Sequence, residues 1–315
     1  MTTEELSLWI KEKALEIGFS KAGIANVAPF VAETARLEAW VKGGFNGLMG
    51  YMERSMDRRM DVQNILPNAK SILSLALNYY TPSKHTEENP KISRYAWGTD
   101  YHEIIPIMLA KLLEAIKEVR TETSGRYYVD TGPVFEKAIA ERAGIGWIGK
   151  HTNVITKEFG SWVFLAEIIL DLELIADTPA EDFCGTCTKC LDACPTDAIT
   201  AVYQVDATRC ISYLTIELKP EHEIPADRRS EMEGWLYGCD ICQDVCPWNS
   251  FEQPTILEAF APRPGVLKLT LEAVEAMEPA EFTERFRKSP IKRTKLAGLK
   301  RNAKVLLENR SDTNL

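Results

Sequence analysis

The stretch that decides the fold is Cys184-x-x-Cys187-x-x-Cys190-x-x-x-Cys194-Pro195, followed by a second run, Cys239-x-x-Cys242-x-x-x-Cys246-Pro247. Together with Cys210, which lies between them, these runs contain all eight cysteines of the 315-residue chain. Three thiolates spaced by three residues can bind one iron–sulfur cube, while a cysteine just before proline binds a different cube. The runs therefore predict a bacterial ferredoxin-like module with two 4Fe–4S clusters, for which eight thiolates supply two complete sets of four.

Disulfides and structural zinc are the competing interpretations of so many cysteines. A disulfide framework needs an oxidising compartment, and the N-terminal segment MTTEELSLWIKEKALEIGF lacks the basic region and apolar run of an export signal. Zinc sites usually combine two separated Cys-x-x-Cys pairs, whereas here three evenly spaced cysteines are followed by Cys-Pro. We therefore favour iron–sulfur clusters over both alternatives.

Length and composition predict a soluble protein of two or three packed units. The hydrophobic content of 45% is ordinary for a globular chain. The longest strongly apolar run, Trp162–Leu170, has the length of a strand and contains Glu167, and it falls far short of the ~20 residues of a membrane helix. We expect a cytoplasmic protein without membrane association.

The charge of the chain is unevenly distributed. Overall there are 37 Lys and Arg residues against 46 Asp and Glu, a net charge of −9. Nine of the basic residues lie between Arg285 and Lys304, a segment without any acidic residue. Such a basic stretch is suited to a polyanion such as a nucleic acid, although a solvated helix face that balances an acidic body explains it equally well.

Hydrophobic periodicity predicts a sheet domain in the first half of the chain. Strands that alternate with helices indicate the α/β (α+β) fold class, here with a mixed sheet. The predicted helices are 1–20, 101–120 and 134–143, and the predicted strands are 21–25, 71–80, 126–130 and 162–170. We expect three regions: a sheet domain (1–172), the ferredoxin-like domain (173–252) and a short, basic helical region (253–315).

Two motif matches do not carry the chemistry that they suggest. The segment Gly144-Ile-Gly146-Trp-Ile-Gly149 matches the dinucleotide fingerprint, but it follows a predicted helix rather than a strand, so Gly144 is better explained as a helix C-cap. The segment Asp100-Tyr-His102 begins like a motif that places histidine on cobalt, but its glycine is missing. We therefore assign His102 to a cap or a polar core position.

Asp130 is the acidic residue that we favour as functional. It follows a strand of apolar and aromatic residues and precedes Thr-Gly-Pro, so a tight turn is expected to present it at the edge of the sheet. A carboxyl group in such surroundings can have a raised pKa and act as a general acid. Capping of the next helix, through the N–H of Val134 or Phe135, is the structural alternative.

Several segments in combination resemble the epoxyqueuosine reductase family, and the resemblance covers nearly the whole chain. They are Val129-Asp130-Thr-Gly-Pro133, Ala140-Glu-Arg-Ala-Gly-Ile-Gly-Trp-Ile-Gly-Lys150, Cys184 to Pro195, Arg209-Cys-Ile-Ser212, Tyr237-Gly-Cys-Asp240 and Arg301-Asn-Ala303. The resemblance implies an enzyme that reduces an epoxide on a modified guanosine in the anticodon loop of tRNA, the last step of queuosine formation. It also implies a cobalamin-binding sheet domain fed by two 4Fe–4S clusters.

The resemblance assigns roles to individual residues. Asp130 matches the proton donor of the family, and Lys137 matches a position that approaches tRNA. One cluster would take Cys184, Cys187, Cys190 and Cys246, and the other Cys194, Cys210, Cys239 and Cys242. Segments that line the corrin pocket are matched by Arg59, Ser93, Asp130, Val154, Thr156, Leu165, Ser212 and Asp240.

The chain departs from many family members at its C-terminal end. Those proteins continue into HEAT-like repeats that help to hold tRNA, whereas this sequence stops twelve residues after Ala303, at Leu315. We expect the basic stretch 285–304 to compensate. A reductase or a ferredoxin- or flavodoxin-type protein is the expected electron donor, and the protein is expected to be a monomer. The alternative function is a reductive dehalogenase-like reduction of a small molecule with the same cofactors.

Overall fold

The computed structural model describes residues 1–86 and 88–313, and for residues 312 and 313 only the backbone. The helices are α1 (Thr3–Ile17), α2 (Val31–Lys42), α3 (Met56–Met60), α4 (Tyr101–Val119), α5 (Glu136–Arg142), α6 (Lys189–Asp192), α7 (Ile211–Ile216), α8 (Ala226–Arg229), α9 (Ile241–Asp244), α10 (Leu271–Ala276), α11 (Pro279–Arg285) and α12 (Lys295–Thr313). The strands are β1 (Lys21–Ala25), β2 (Ser71–Asn78), β3 (Lys91–Ile92), β4 (Gly125–Tyr128), β5 (Trp147–Ile148), β6 (Val154–Ile155), β7 (Val163–Leu170) and β8 (Trp235–Tyr237).

Single 3-10 turns connect many of these elements. They span Gly50–Glu53, Val62–Asn64, Arg94–Ala96, Ala207–Arg209, Pro247–Phe251, Glu258–Phe260, Val266–Lys268 and Pro290–Thr294.

The main sheet has four strands in the order β1-β2-β7-β4. All three pairings within it are antiparallel, and the parallel pairing lies in a separate small sheet of β3 and β8. The predicted α/β (α+β) class is confirmed, but the prediction of a mixed sheet is wrong for the main sheet, which is antiparallel throughout. In this arrangement β2 and β4 run in the same direction, so their C-terminal ends lie at the same edge of the sheet as the start of β7.

Both faces of this sheet are covered, which explains why every residue of β2 is buried. Alternate residues of β2, from Leu73 to Leu77, pack against α1 and α4, while Ile72 and Ala76 face α5. Gly23 in β1 is required where α5 ends, because a Cβ atom there would collide with the carbonyl oxygen of Ala143.

Helix boundaries follow local capping chemistry. A capping box between Thr2 and Glu5 begins α1, and Gly18, with a φ of 115°, ends it. Asp100 begins α4 by accepting the N–H of His102. Gly144 has a φ of 71° directly after α5, so the glycine-rich segment lies at a helix C-terminus as predicted and is not a dinucleotide loop.

The C-terminal part of the chain shares a core with the second half of the cysteine-rich segment. Residues of α10 and α12 pack with α7, β8 and Trp97 into one hydrophobic cluster. The predicted helical region after residue 252 contains α10, α11 and α12, of which α12 has 19 residues. Its apolar side is held by this cluster, which a local pattern cannot reveal. The predicted domain boundaries at 172/173 and 252/253 stay predictions.

Among the described residues, the structure contains no helix with the length and apolarity needed to cross a membrane.

Candidate active site

A cavity of about 410 Å³ opens at the sheet edge where β2 and β4 end and β7 begins. Its wall is largely aromatic and aliphatic near the sheet, with Tyr79, Tyr101 and Phe164. Four thiols also line this cavity. These are Cys194, Cys210, Cys239 and Cys242.

A second cavity, of about 220 Å³, lies among the other four cysteines. It is lined by Cys184, Cys187, Cys190 and Cys246 and is bordered by Trp248. The two cavities thus divide the eight thiols into the two sets that the family pattern implies, although Cys246 comes from the second run and Cys194 from the first. Each set combines thiols three residues apart with thiols that are distant in sequence: Cys246 joins the first run, and Cys194 and Cys210 join Cys239 and Cys242.

The chemistry of these thiols fits iron–sulfur clusters. All eight are free cysteines. Burial raises the pKa of the Cys190 thiol to about 11, and the charges of Cys184 and Cys246 reinforce the shift. Burial also raises the pKa of Cys242 well above its usual value. Buried thiols of this kind become thiolates on coordination to metal, and backbone N–H groups are already directed at sulfur, as from Ala198 to Cys194 Sγ at 3.3 Å.

The larger cavity also fits a bulky ring that carries polar side groups. Apolar residues form a broad wall, and hydroxyl groups such as those of Ser93 and Ser212 lie around it. His151 lines the cavity with only 3% of its surface exposed, and its Nδ1 accepts the N–H of Asn153 at 3.1 Å. Its Nε2 has no hydrogen-bond partner among the described residues. A donor buried without an acceptor is suited to an amide oxygen of cobalamin.

The structure places most of the predicted cofactor-binding residues at this cavity. Ser93, Asp130, Val154, Leu165 and Ser212 line it. Three others, Arg59, Thr156 and Asp240, do not line the cavity. Lys137, predicted to approach tRNA, also lines the cavity and donates from Nζ to the carbonyl of Thr152 at 2.8 Å.

The three remaining predicted contacts support the wall from behind. Asp240 is buried and accepts from Ser93 Oγ at 2.5 Å and from the backbone N–H of Arg94 at 2.7 Å. Thr156 is fully buried next to β6 and donates to the carbonyl of Gly160. Arg59 donates to the carbonyl of Val134 at 3.3 Å. These bonds hold backbone segments in place around the cavity.

Asp130 lies in a tight turn after β4 and faces the cavity. Its φ is 58°, in the left-handed region that Asp tolerates better than most residues. Its backbone N–H donates to Glu136 Oε1 at 2.5 Å. The alternative in which Asp130 caps the next helix is wrong, because α5 has Phe135 as its N-cap without a side-chain hydrogen bond.

The neighbours of Asp130 lower its pKa, and the expectation of a raised pKa is wrong in this structure. Burial tends to raise the pKa of this carboxyl group, but the neighbouring polar groups of His102 and Tyr101 and the charges of His102 and Arg293 outweigh burial. His102 Nε2 lies 3.5 Å from Asp130 Oδ2. The sequence pattern around Asp130 does not show these partners, because they come from α4 and from the segment before α12.

His102 is the main residue beside Asp130 that the sequence analysis does not place there. Its Nδ1 lies 2.9 Å from Asp100 Oδ1. The hydrogen bond to Asp100 and the nearby carboxylate of Asp130 raise the pKa of His102 to about 9, even though burial opposes the shift. The imidazole is therefore protonated at neutral pH and lies between two carboxylates. The sequence signal is the Asp100-Tyr-His102 motif, which the sequence analysis interprets as a cap or a polar core position.

Two further carboxyl groups lie beneath the Asp130 turn. Glu136 begins α5, and Glu167 lies in the middle of β7 with none of its surface exposed. Burial raises the pKa of Glu136 to about 7, and burial beside Glu136 raises the pKa of Glu167 well above its usual value. A glutamate within an otherwise apolar strand was the sequence signal for this pair.

The basic stretch 285–304 is only partly available to a ligand. Arg301 is buried; its Nη1 donates to the carbonyl of Leu218 at 3.0 Å and its Nη2 to that of Leu214 at 2.7 Å. Arg293 forms a two-point ion pair with Glu217, at 3.0 and 2.9 Å. Other basic residues of the stretch are exposed. These are Arg287, Lys288, Lys292, Lys295 and Lys304.

Two family models match the chain. Residues 59–131 match the model described as "Epoxyqueuosine reductase QueG, DUF1730", and residues 183–249 match a 4Fe-4S double cluster binding domain. The chain therefore contains a double-cluster domain.

Curated and solved relatives match almost the full chain. The epoxyqueuosine reductase of Cellulophaga algicola is 47% identical over 97% of this chain and 99% of that protein. A solved epoxyqueuosine reductase with an epoxyqueuosine-modified stem loop of tyrosine tRNA is 35% identical, covers 98% of this chain and 83% of that chain, and has a TM-score of 0.89. The enzyme of Bacillus subtilis, with its catalytic aspartate loop swung out of the active site, is 33% identical with the same coverage and a TM-score of 0.90.

Proposed function

The chain belongs to the epoxyqueuosine reductase family, and on that premise we propose that it reduces the epoxide of epoxyqueuosine in tRNA to the alkene of queuosine. The conversion consumes two electrons and two protons and releases one water molecule. The observation that carries the proposal is the position of Asp130 on the wall of a cavity that four cysteine thiols also line, with protonated His102 beside it.

The residues present suit the cofactors of this reaction. We propose cobalamin for the larger cavity, held by Ser93, Val154, Leu165 and Ser212 and supported from behind by Arg59, Thr156 and Asp240. We propose one 4Fe–4S cluster for Cys194, Cys210, Cys239 and Cys242, and the other for the second cavity. When bound, cobalamin supplies the nucleophile that opens the epoxide, and the clusters supply its electrons.

The proton path follows from the pairing of His102 with Asp130. At neutral pH the imidazolium of His102 holds a proton next to Asp130 Oδ2. Substrate that covers the turn removes water from the carboxyl group and raises its proton affinity. Asp130 then takes the proton through His102 and donates it to the epoxide oxygen, while Asp100 holds the imidazole in place.

The proposed partners are tRNA and an electron-donor protein. Lys137 is the proposed tRNA contact at the cavity, and the exposed lysines of the basic stretch are proposed to contact phosphates nearby. A reductase or a ferredoxin- or flavodoxin-type protein is the proposed electron donor. A monomeric protein and a cytoplasmic location remain predictions.

The test is a turnover assay with the cluster- and cobalamin-loaded protein. Epoxyqueuosine-containing tRNA is incubated with a low-potential reductant under anaerobic conditions, and the nucleosides are analysed by mass spectrometry. Formation of queuosine supports the proposal. Conversion of a halogenated aromatic compound without any formation of queuosine would favour the reductive dehalogenase-like alternative.

A further inference from the structure

The turn that presents Asp130 is tied to α5 through a single glutamate side chain. The backbone N–H of Asp130 donates to Glu136 Oε1 at 2.5 Å. The bonds from the N–H and hydroxyl of Thr131 both go to the carbonyl of Val129, so they join the turn only to itself. Because Glu136 binds the main chain, the Asp130 carboxyl group is left to face the cavity, where 59% of the side chain is exposed.

A second carboxyl group, that of Glu167, is buried on the side of the sheet that α5 covers. Glu167 pairs in register with Tyr128, the last residue of β4, and is fully buried. Its neighbours Leu165 and Ile169 on the same face of β7 pack against α5, so the carboxyl group of Glu167 lies on the α5 side of the sheet. Neither carboxyl oxygen of Glu167 has a hydrogen-bond partner among the described residues.

Two neighbouring carboxyl groups in an apolar interior cannot both be ionised. Burial beside Glu136 raises the pKa of Glu167 well above its usual value, so Glu167 keeps its proton at neutral pH. A neutral Glu167 does not repel Glu136, whose Oε1 accepts the Asp130 N–H. Lys137 is directed elsewhere, to the carbonyl of Thr152.

We propose that Glu136 is a positioning residue that holds the Asp130 turn in the cavity through its bond to the Asp130 N–H. The inference rests on the proposed function in that Asp130 is taken as the proton donor. The relative from Bacillus subtilis has been solved with its catalytic aspartate loop swung out, so a loop of this kind has a second position. The bond to Glu136 decides which position the turn of this chain occupies.

Hydrogen exchange of the loaded protein without tRNA tests the proposal directly. In Glu136→Ala the Asp130 amide loses its acceptor, and its exchange is expected to be at least about tenfold faster, as for a lost bond to a charged group. Glu136→Gln keeps an amide oxygen for the Asp130 N–H, so its exchange stays close to wild type. Glu136→Asp is one methylene shorter and exchanges as fast as the alanine variant.

Glu141→Ala is the matched control on the same helix. Glu141 Oε1 accepts the backbone N–H of Ile148 at 3.2 Å, so it holds a different segment. Its removal is expected to leave exchange at Asp130 unchanged. Unchanged exchange in the alanine and aspartate variants, or equally fast exchange in the glutamine variant, would overturn the proposal.

Turnover gives an independent measure. Glu136→Ala is expected to lower kcat by at least about tenfold with KM for tRNA within about twofold, and Glu136→Gln is expected to restore most of kcat. If wild-type protein does not form queuosine, the proposed function fails while the exchange experiment still decides the role of Glu136. An alanine variant with fast exchange and full kcat would show that the turn need not be held, and would overturn the proposal as well.

Discussion

His102 Nε2 lies 3.5 Å from Asp130 Oδ2, and the opposite ring nitrogen, Nδ1, lies 2.9 Å from Asp100 Oδ1. An imidazolium thus connects a carboxylate at the cavity to a carboxylate that caps α4. The arrangement stores a proton at the place where the proposed reaction needs one, and it explains why the pKa of Asp130 is lowered although the residue is partly withdrawn from water.

The first prediction concerns the proton donor. Asp130→Asn should lower kcat by at least about 10², the usual contribution of a general acid, while the protein stays folded. Asn tolerates the left-handed backbone of this position and keeps the N–H that binds Glu136. Quantification of queuosine by mass spectrometry measures the loss. A variant with full turnover would remove Asp130 from its proposed role.

The second prediction concerns the histidine. His102→Gln removes the proton that lies next to Asp130 and should lower kcat by about 10- to 100-fold. His222, whose side chain has no part in this site, provides the control: His222→Gln should retain normal turnover. Equal rates in the two variants would contradict the proton path.

The third prediction is a pH dependence with a definite sign. The pKa of His102 is raised to about 9 by its two carboxylates, so the protonated form is present at neutral pH and is lost as the pH rises through 9. Wild-type kcat should therefore fall at alkaline pH with an apparent pKa near 9. The pH profile of kcat for His102→Gln should lack this fall at alkaline pH. Turnover assays at a series of pH values from 6 to 10 measure both profiles.

The fourth prediction separates the two clusters. Cys210→Ala should lose the cluster of its own set and keep the other, so the iron content should fall to about half. Cys187→Ala should give the complementary loss. Iron and sulfide analysis, with electron paramagnetic resonance of the reduced proteins, distinguishes the two variants by their remaining signals. Complete loss of iron in both would mean that the sets do not assemble independently.

The fifth prediction concerns Arg301, which belongs to the basic stretch but is buried. Arg301→Ala leaves several buried carbonyls, including those of Leu214 and Leu218, without their donor. We expect a loss of about 2 kcal/mol or more and a Tm lower by ~5 °C. The exposed Lys304 is the control: Lys304→Ala should leave Tm unchanged and weaken tRNA binding slightly at low salt.

Local sequence patterns accounted for much of the fold. The alternation of helices and strands predicts β1, β2, α4 and β7 to within two residues of their observed bounds. These elements are recognisable because hydrophobic periodicity and caps act over neighbouring residues. The helices after Pro247 are less evident from the sequence, because they are defined by the core that they share with α7 and β8 rather than by their own hydrophobic pattern.

The sequence by itself determined the thiol chemistry, because the spacing of cysteines within each run is a local property of the chain. The tertiary structure alone decided the surroundings of Asp130. His102 comes from α4, Glu136 from α5 and Glu167 from β7, and only the antiparallel packing of these elements brings them to one turn. A pKa depends on all charges and on all burial around a group. The ionised state of Asp130 therefore could not follow from the apolar strand that precedes it.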